Sequence, residues 1–255
     1  MYVIIVFMKI ILKESETLTE INENLKLIQN PKGLTFGTDA LLLASFVKKN
    51  INEIGVELGA GTGVVSLLCA SRNKLKHIYA VEIQGEYADI CRRNAELNGL
   101  SDAVTTIEGD VRERILADYE GKCGVVFSNP PYMTTTSGYR NSDDGKYAAR
   151  HEVNGTITSF CKCASSLLKF GGTFLCVYRH DRLIDLICAM RDNQIEPKKI
   201  TIVYPDENHE PCLVLVEGKR GSKPSLCIPA PFFIYKKGTT EFTDDMKYIY
   251  DNGEF

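Results

Sequence analysis

Asn129-Pro130-Pro131-Tyr132 follows Ser128 and the apolar run 124–127. Two consecutive prolines remove two backbone donors and fix two φ angles, so no sheet continues through them. What they supply is rigidity. The Pro130 carbonyl and the Asn129 amide are held in fixed directions at a strand tip, beside the flat ring of Tyr132. Two acceptors in one plane plus a stacking ring can grip a planar amino group, such as the exocyclic amine of adenine. The same four residues also suit a rigid turn with a core tyrosine, and the rest of the chain has to separate the two readings.

Upstream lies Glu57-Leu58-Gly59-Ala60-Gly61-Thr62-Gly63, between the strand-like 54–56 and the helix-like 64–70. Glycines at a strand-to-helix turn let a ligand approach the backbone, and the helix beyond offers free N–H groups. The next apolar run, 77–81, ends in Glu82, placed to accept hydrogen bonds from ribose hydroxyls. NAD enzymes share this geometry, but their Gly-x-Gly-x-x-Gly spacing differs from the spacing here. An anionic Glu57 at the mouth of the turn would repel a pyrophosphate and suit a cationic amino-acid moiety. That chemistry points to S-adenosylmethionine. A glycine-rich turn with a solvated Glu82 is the plainer alternative.

A third tip follows the run 104–108, at Gly109-Asp110-Val111. Asp110 is expected to cap a helix over 111–116 and, at the same time, to accept from an adenine amino group. In an open parallel sheet, ligands bind outside the carboxyl ends of the strands. Glu57, Glu82, Asp110 and Asn129 close successive strands, so all four are expected on one rim.

The elements that must carry this rim alternate between strand and helix. A helix over 39–48, capped by Thr38 or Asp39, precedes the core. Strands are expected over 54–58, 77–82, 104–108, 124–128, 173–178, 199–204 and 212–218, with helices over 64–71, 86–98, 157–169 and 182–193. The stretch 134–154 breaks the rhythm, and a loop of that length is usually functional or disordered. The tail carries a strand over 232–235 and a short helix from Thr243.

Composition sets outer bounds. A chain of 255 residues with 44% hydrophobic content can bury a full α/β core. Its nine cysteines show no C-x-x-C pair, which reads as reduced thiols in a cytoplasmic protein. Neither the cysteines nor the four histidines have ligand spacing, so no metal is expected. The apolar start, 2–7, is too short to span a membrane and lacks a basic leader or cleavage site. It reads either as translation from an upstream start codon or as an edge strand. A net charge of −3 gives no general RNA signature.

With these motifs in place, the chain resembles the class I S-adenosylmethionine-dependent methyltransferases, and Asn129-Pro130-Pro131-Tyr132 resembles their amino-methylating branch. From about Met8 onward it is similar to the tRNA1(Val) adenine-N6 methyltransferase family. That likeness rests on Leu12-Lys13-Glu14, Leu27-Ile28-Gln29, Phe36-Gly37-Thr38-Asp39-Ala40-Leu41-Leu42-Leu43-Ala44, Ala149-Arg150-His151-Glu152 and Ile200-Thr201-Ile202-Val203-Tyr204-Pro205.

The resemblance implies a Rossmann-like seven-stranded sheet, mostly parallel with one antiparallel strand and helices on both faces. It divides the chain into an N-terminal extension (1–50), a methyltransferase core (51–219) and a C-terminal extension packed on it (220–255). It implies S-adenosylmethionine held by Thr38, Asp39, Glu57, Gly59, Gly61, Gly63, Glu82, Ile83, Asp110, Val111 and Asn129. The catalytic group would be Asn129, Pro130 and Tyr132. The substrate would be tRNA, methylated on an adenine beside the anticodon, with Arg140, Lys146 and Arg150 meeting phosphates. Lys219, Arg220, Lys223, Lys236 and Lys237 are further phosphate candidates; charged loops are otherwise simply solvated.

Other readings stay open at this point. A release-factor glutamine-N5 methyltransferase shares the chemistry, but its larger helical N-terminal domain has no counterpart in the fifty-odd residues before Glu57. An rRNA or DNA amino-methyltransferase, a non-catalytic cofactor-binding module and an NAD-linked oxidoreductase complete the set.

Overall fold

The computed structural model describes residues 12–23, 25–31, 33, 36–131 and 155–255. Strands β1 (Thr17–Asn22) and β2 (Leu25–Gln29) form a separate antiparallel hairpin. The main sheet is built from β3 (Asn50–Leu58), β4 (Leu75–Glu82), β5 (Val104–Glu108), β6 (Cys123–Ser128), β7 (Leu168–Arg179), β8 (Ile195–Tyr204), β9 (Leu213–Arg220) and β10 (Phe232–Phe233). Its order is β10-β8-β9-β7-β6-β3-β4-β5. β9 runs antiparallel to both neighbours, and every other adjacent pair is parallel. The sheet therefore has eight strands rather than the expected seven. The extra one is β10, where Phe232 and Phe233 pair with Val203 and Tyr204 at the edge. So short a segment carries no alternation that would assign it to this sheet in advance.

Helices α1 (Thr38–Phe46), α2 (Val64–Ser71), α3 (Gly85–Leu97), α4 (Ile157–Leu167), α5 (Leu183–Asp192) and α6 (Asp244–Asn252) cover the sheet. The central parallel strands are apolar on both sides, as strands buried between two helical layers must be. One core joins side chains of α1, α2, α3 and α6 to one face of the sheet, with Leu42, Leu67, Cys91 and Met246 among them. The other joins α4 and α5 to the opposite face through Phe160, Leu167, Leu186 and Met190.

Strand order reverses direction between β3 and β6. This is the switch point where a doubly wound sheet opens a crevice beyond its strand ends. Leu58 and Ser128 are paired there in register, and Ser128 Oγ donates to the Leu58 carbonyl at 2.7 Å. The glycine-rich turn and the Asn-Pro-Pro segment thus leave the sheet side by side.

Two local expectations change. The helix expected over 39–48 begins at Thr38, with Gly37 at its N-cap and no side-chain cap bond. Neither Thr38 nor Asp39 caps it; the Asp39 carboxyl is committed elsewhere. The helix expected over 111–116 is absent, and a turn leads into a short 3₁₀ segment, Ala117–Tyr119. Asp110 Oδ1 accepts the Arg112 N–H at 2.8 Å, the bond expected of an N-cap, but the chain continues as a turn rather than a helix.

Candidate active site

The glycine-rich turn is shaped by three residues in the left-handed region, Gly59 (φ 72°), Gly61 (φ 54°) and Gly63 (φ 83°). At Gly63 close approach adds to the φ requirement, since a Cβ there would lie 2.4 Å from Cys91 Sγ on α3. The turn is tied to β4 by Gly59 and Ala60 N–H groups, both donating to the Val81 carbonyl at 2.9 Å.

Glu82 ends β4 and is 4% exposed. Its Oε2 accepts the Gly61 N–H at 2.8 Å, and its Oε1 accepts the Gln84 N–H at 2.9 Å. Burial pushes its pKa up, against the opposing pull of these N–H donors. Ile83, next along, is half-buried.

Glu57 differs from expectation. Rather than standing at the open mouth of the turn, it is 1% exposed and lies under the first turn of α2. Its Oε2 accepts the Ser66 N–H at 2.9 Å and a short bond from Ser66 Oγ. Burial, with a smaller contribution from the nearby Glu82 charge, raises its pKa to about 8. Sequence reasoning placed a free anion here because an acidic residue at a strand tip usually meets solvent. The buried Ser66 hydroxyl in the first turn of α2 supplies the reason that it does not.

Asp110 follows β5 and is clamped by Arg112, whose Nε lies 3.0 and 2.9 Å from its two carboxylate oxygens. That guanidinium holds the Asp110 carboxyl below its ordinary pKa. Val111 turns into the core beside α4 and is 8% exposed.

At the tip of β6, Asn129 is half-buried and Pro130 buried. Asn129 Nδ2 donates to Asp39 Oδ2 at 2.7 Å, which brings the first turn of α1 to the Asn-Pro-Pro segment. Gly37 makes room for that carboxyl, because a Cβ there would lie 2.5 Å from Asp39 Oδ1. Thr38 opens the same helix. The structure therefore gathers Asp39, Glu82, the three glycines and Asn129 around one switch point, with Glu57 behind them. Tyr132, Arg140, Lys146 and Arg150 lie outside the described residues.

Sequence reasoning missed Asn94. Its Oδ1 accepts the Ile28 N–H at 2.6 Å, while its Nδ2 donates to the Ile28 and Thr62 carbonyls at 3.1 and 3.0 Å. It fastens the N-terminal hairpin to the glycine-rich turn. A polar residue among the apolar positions of α3 was the only available signal.

Among the described residues, no group of three or more His, Cys, Asp or Glu side chains could hold a metal ion. No described helix is long and apolar enough to cross a membrane.

A doubly wound sheet with a glycine-rich turn, a carboxylate on the neighbouring strand tip and an amide across the switch point defines a nucleoside-cofactor-binding α/β protein. The chain belongs to the methyltransferase small domain family, whose model matches residues 31–187. It is similar to a tRNA1(Val) (adenine(37)-N6)-methyltransferase of Porphyromonas gingivalis, with 27% identity over 71% of this chain and 72% of the relative. A protein of the same name from Shewanella amazonensis is 32% identical over 55% of this chain and 58% of its own length. Among solved structures, a predicted O-methyltransferase from Agrobacterium tumefaciens superposes with a TM-score of 0.69 at 24% identity, covering 85% of this chain and 97% of that one. Geranyl diphosphate C-methyltransferase from Streptomyces coelicolor gives 0.53 at 14% identity, covering 71% of this chain and 78% of that one. At these identities the two structures share the fold alone with this chain.

Proposed function

We propose that this chain transfers a methyl group from S-adenosylmethionine to the N6 amine of an adenine in tRNA, beside the anticodon. The observation that carries the reading is Asn129, held at the tip of β6 with its amide nitrogen on Asp39, next to the glycine-rich turn across the switch point. The tRNA and the adenine are supported by the names of the relatives. A tRNA substrate in turn implies the cytoplasm.

The residues present fit the cofactor. The left-handed glycines leave backbone open to close approach, and Glu82 keeps a carboxylate at the neighbouring tip. Gly59, Gly61, Gly63, Glu82 and Ile83 would hold it, with Thr38 and Asp39 toward its methionine end. Asp110 would reach its adenine once Arg112 gives way. When bound, S-adenosylmethionine supplies an electrophilic methyl group.

The protein's own part is orientation. The N6 lone pair of adenine is delocalised into the ring and is a poor nucleophile. Hydrogen bonds from its two protons to Asn129 Oδ1 and the Pro130 carbonyl would favour a more tetrahedral nitrogen and aim the lone pair. No base is needed beforehand, because the proton becomes acidic after methylation and then passes to solvent. Acceleration comes from positioning and preorganised acceptors. The adenine must leave its stack to reach the rim, and Tyr132 is assigned the stacking role on sequence. Arg140, Lys146 and Arg150 are assigned to the tRNA backbone on the same basis.

The test is incubation of purified protein and S-adenosylmethionine with unmodified tRNA, ribosomal RNA, DNA or release factor. Nucleoside and peptide mass spectrometry then follow. N6-methyladenosine in tRNA is the expected product. Methylated glutamine in release factor, or product only in ribosomal RNA or DNA, would replace the substrate assignment.

A further inference from the structure

We infer that Asp39 is a positioning residue that fixes which end of the Asn129 carboxamide faces the amine to be methylated. The inference rests on the proposed amino-methyl transfer. A carboxamide has two nearly isosteric ends, one donating and one accepting, and only the accepting end can engage the protons of an amine. Inverted, Asn129 would present N–H to N–H. Nothing in the rigidity of the Asn-Pro-Pro backbone prevents that inversion, because it is a rotation of the side chain.

Asp39 prevents it. A carboxylate accepts hydrogen bonds and donates none, so its contact with Asn129 is satisfied by the NH2 end alone. At 2.7 Å the bond has the length of a charge-assisted one. Both partners sit on fixed elements. Asp39 lies in the first turn of α1, followed by the buried Leu41, Leu42 and Leu43. Asn129 follows Ser128, whose hydroxyl is bonded to β3. Gly37 leaves space for the carboxyl. A merely stabilising bond would serve as well with either amide end inward; the carboxylate is what makes the choice.

An exchange of the pair tests this. Asp39→Asn places a side chain that can donate or accept against Asn129, so orientation is lost while size and packing are kept. At saturating cofactor and tRNA, its single-turnover rate should fall about 10-fold or more, the scale of a misplaced reacting group. Asn129→Asp sets two carboxylates in contact and should be slower still. In the double variant Asp39→Asn/Asn129→Asp, the amide at 39 donates to the carboxylate at 129, whose other oxygen accepts from the amine. The rate should rise above that of Asn129→Asp alone. A role for Asp39 in cofactor binding alone gives losses that multiply.

A second readout needs no turnover. In the cofactor-free protein, NMR should show the Asn129 carboxamide protons slowed in exchange, and Asp39→Ala should release them. Multiplying losses, an Asp39→Asn rate within about twofold of wild type, or unprotected carboxamide protons would each overturn the inference. If the wild-type protein methylates no adenine in tRNA, the functional reading fails instead, and the NMR signature still decides the contact.

Discussion

Glu82 and Gly61 are joined by a 2.8 Å bond from the Gly61 N–H to Glu82 Oε2, so the residue proposed to hold the cofactor also shapes the glycine-rich turn. Glu82→Ala should therefore weaken S-adenosylmethionine binding by about 1–3 kcal/mol and lower the melting temperature together. Glu82→Gln, which keeps an acceptor, should lose less of both. Calorimetry that shows NAD binding, or unchanged cofactor affinity in Glu82→Ala, would contradict the assignment.

Asn129→Ala should separate chemistry from cofactor binding. The glycines and Glu82 remain, while one of the two proposed acceptors for the amine is lost. The single-turnover rate should fall by about 10²-fold or more, with far less change in cofactor affinity. Methylation of tRNA at the wild-type rate would reduce the Asn-Pro-Pro segment to a rigid turn.

Glu57 gives the fold a dependence on pH. Its folded pKa of about 8 lies above the ordinary 4.5. It therefore favours the folded state below about pH 4.5, and that contribution is lost as pH rises toward about 8. The lost contribution is on the order of a few kcal/mol. Glu57→Gln lacks this titration, so its stability relative to wild type should improve steadily between these limits. Thermal unfolding across that range measures the slope, and parallel profiles for the two proteins would show that Glu57 is ionised throughout.

Thr243 pins the C-terminal helix to the sheet edge. Its Oγ1 accepts the Met246 N–H at 3.1 Å, capping α6, and donates to the Phe233 carbonyl of β10 at 2.8 Å. Thr243→Ala should cost about 1–2 kcal/mol in denaturant unfolding, and Thr243→Ser much less. Equal losses for the two would assign the effect to the methyl group.

The sheet and its strand ends were legible because glycines, prolines and acidic residues punctuate apolar runs, and such punctuation marks strand ends. Glu57, Glu82, Asp110 and Asn129 do lie at or just past the ends of β3, β4, β5 and β6. What stayed hidden was where each side chain turns. Glu57 faces Ser66, Asp110 faces Arg112 and Asp39 faces Asn129, and only the second of these pairs is close in sequence. The helix expected after Asp110 shows the same gap: the capping bond to the Arg112 N–H forms, and no helix follows it. The strand expected over 232–235 is present as β10, but so short a run gave no sign that it joins the main sheet.

Ser128 and Leu58 lie seventy residues apart in the chain yet touch at the centre of the sheet. The two halves of the site are therefore brought together by a long-range loop closure. Contacts of this kind carry a loop-closure cost in chain entropy that must be overcome before they contribute. The glycine-rich turn and the Asn-Pro-Pro segment meet only when β3 and β6 have zipped together and both helical layers have something to pack on. A nascent or partly melted chain holds the two motifs apart. Methylating competence thus arises with the completed core, and a chain that has not finished folding has no assembled site with which to modify anything.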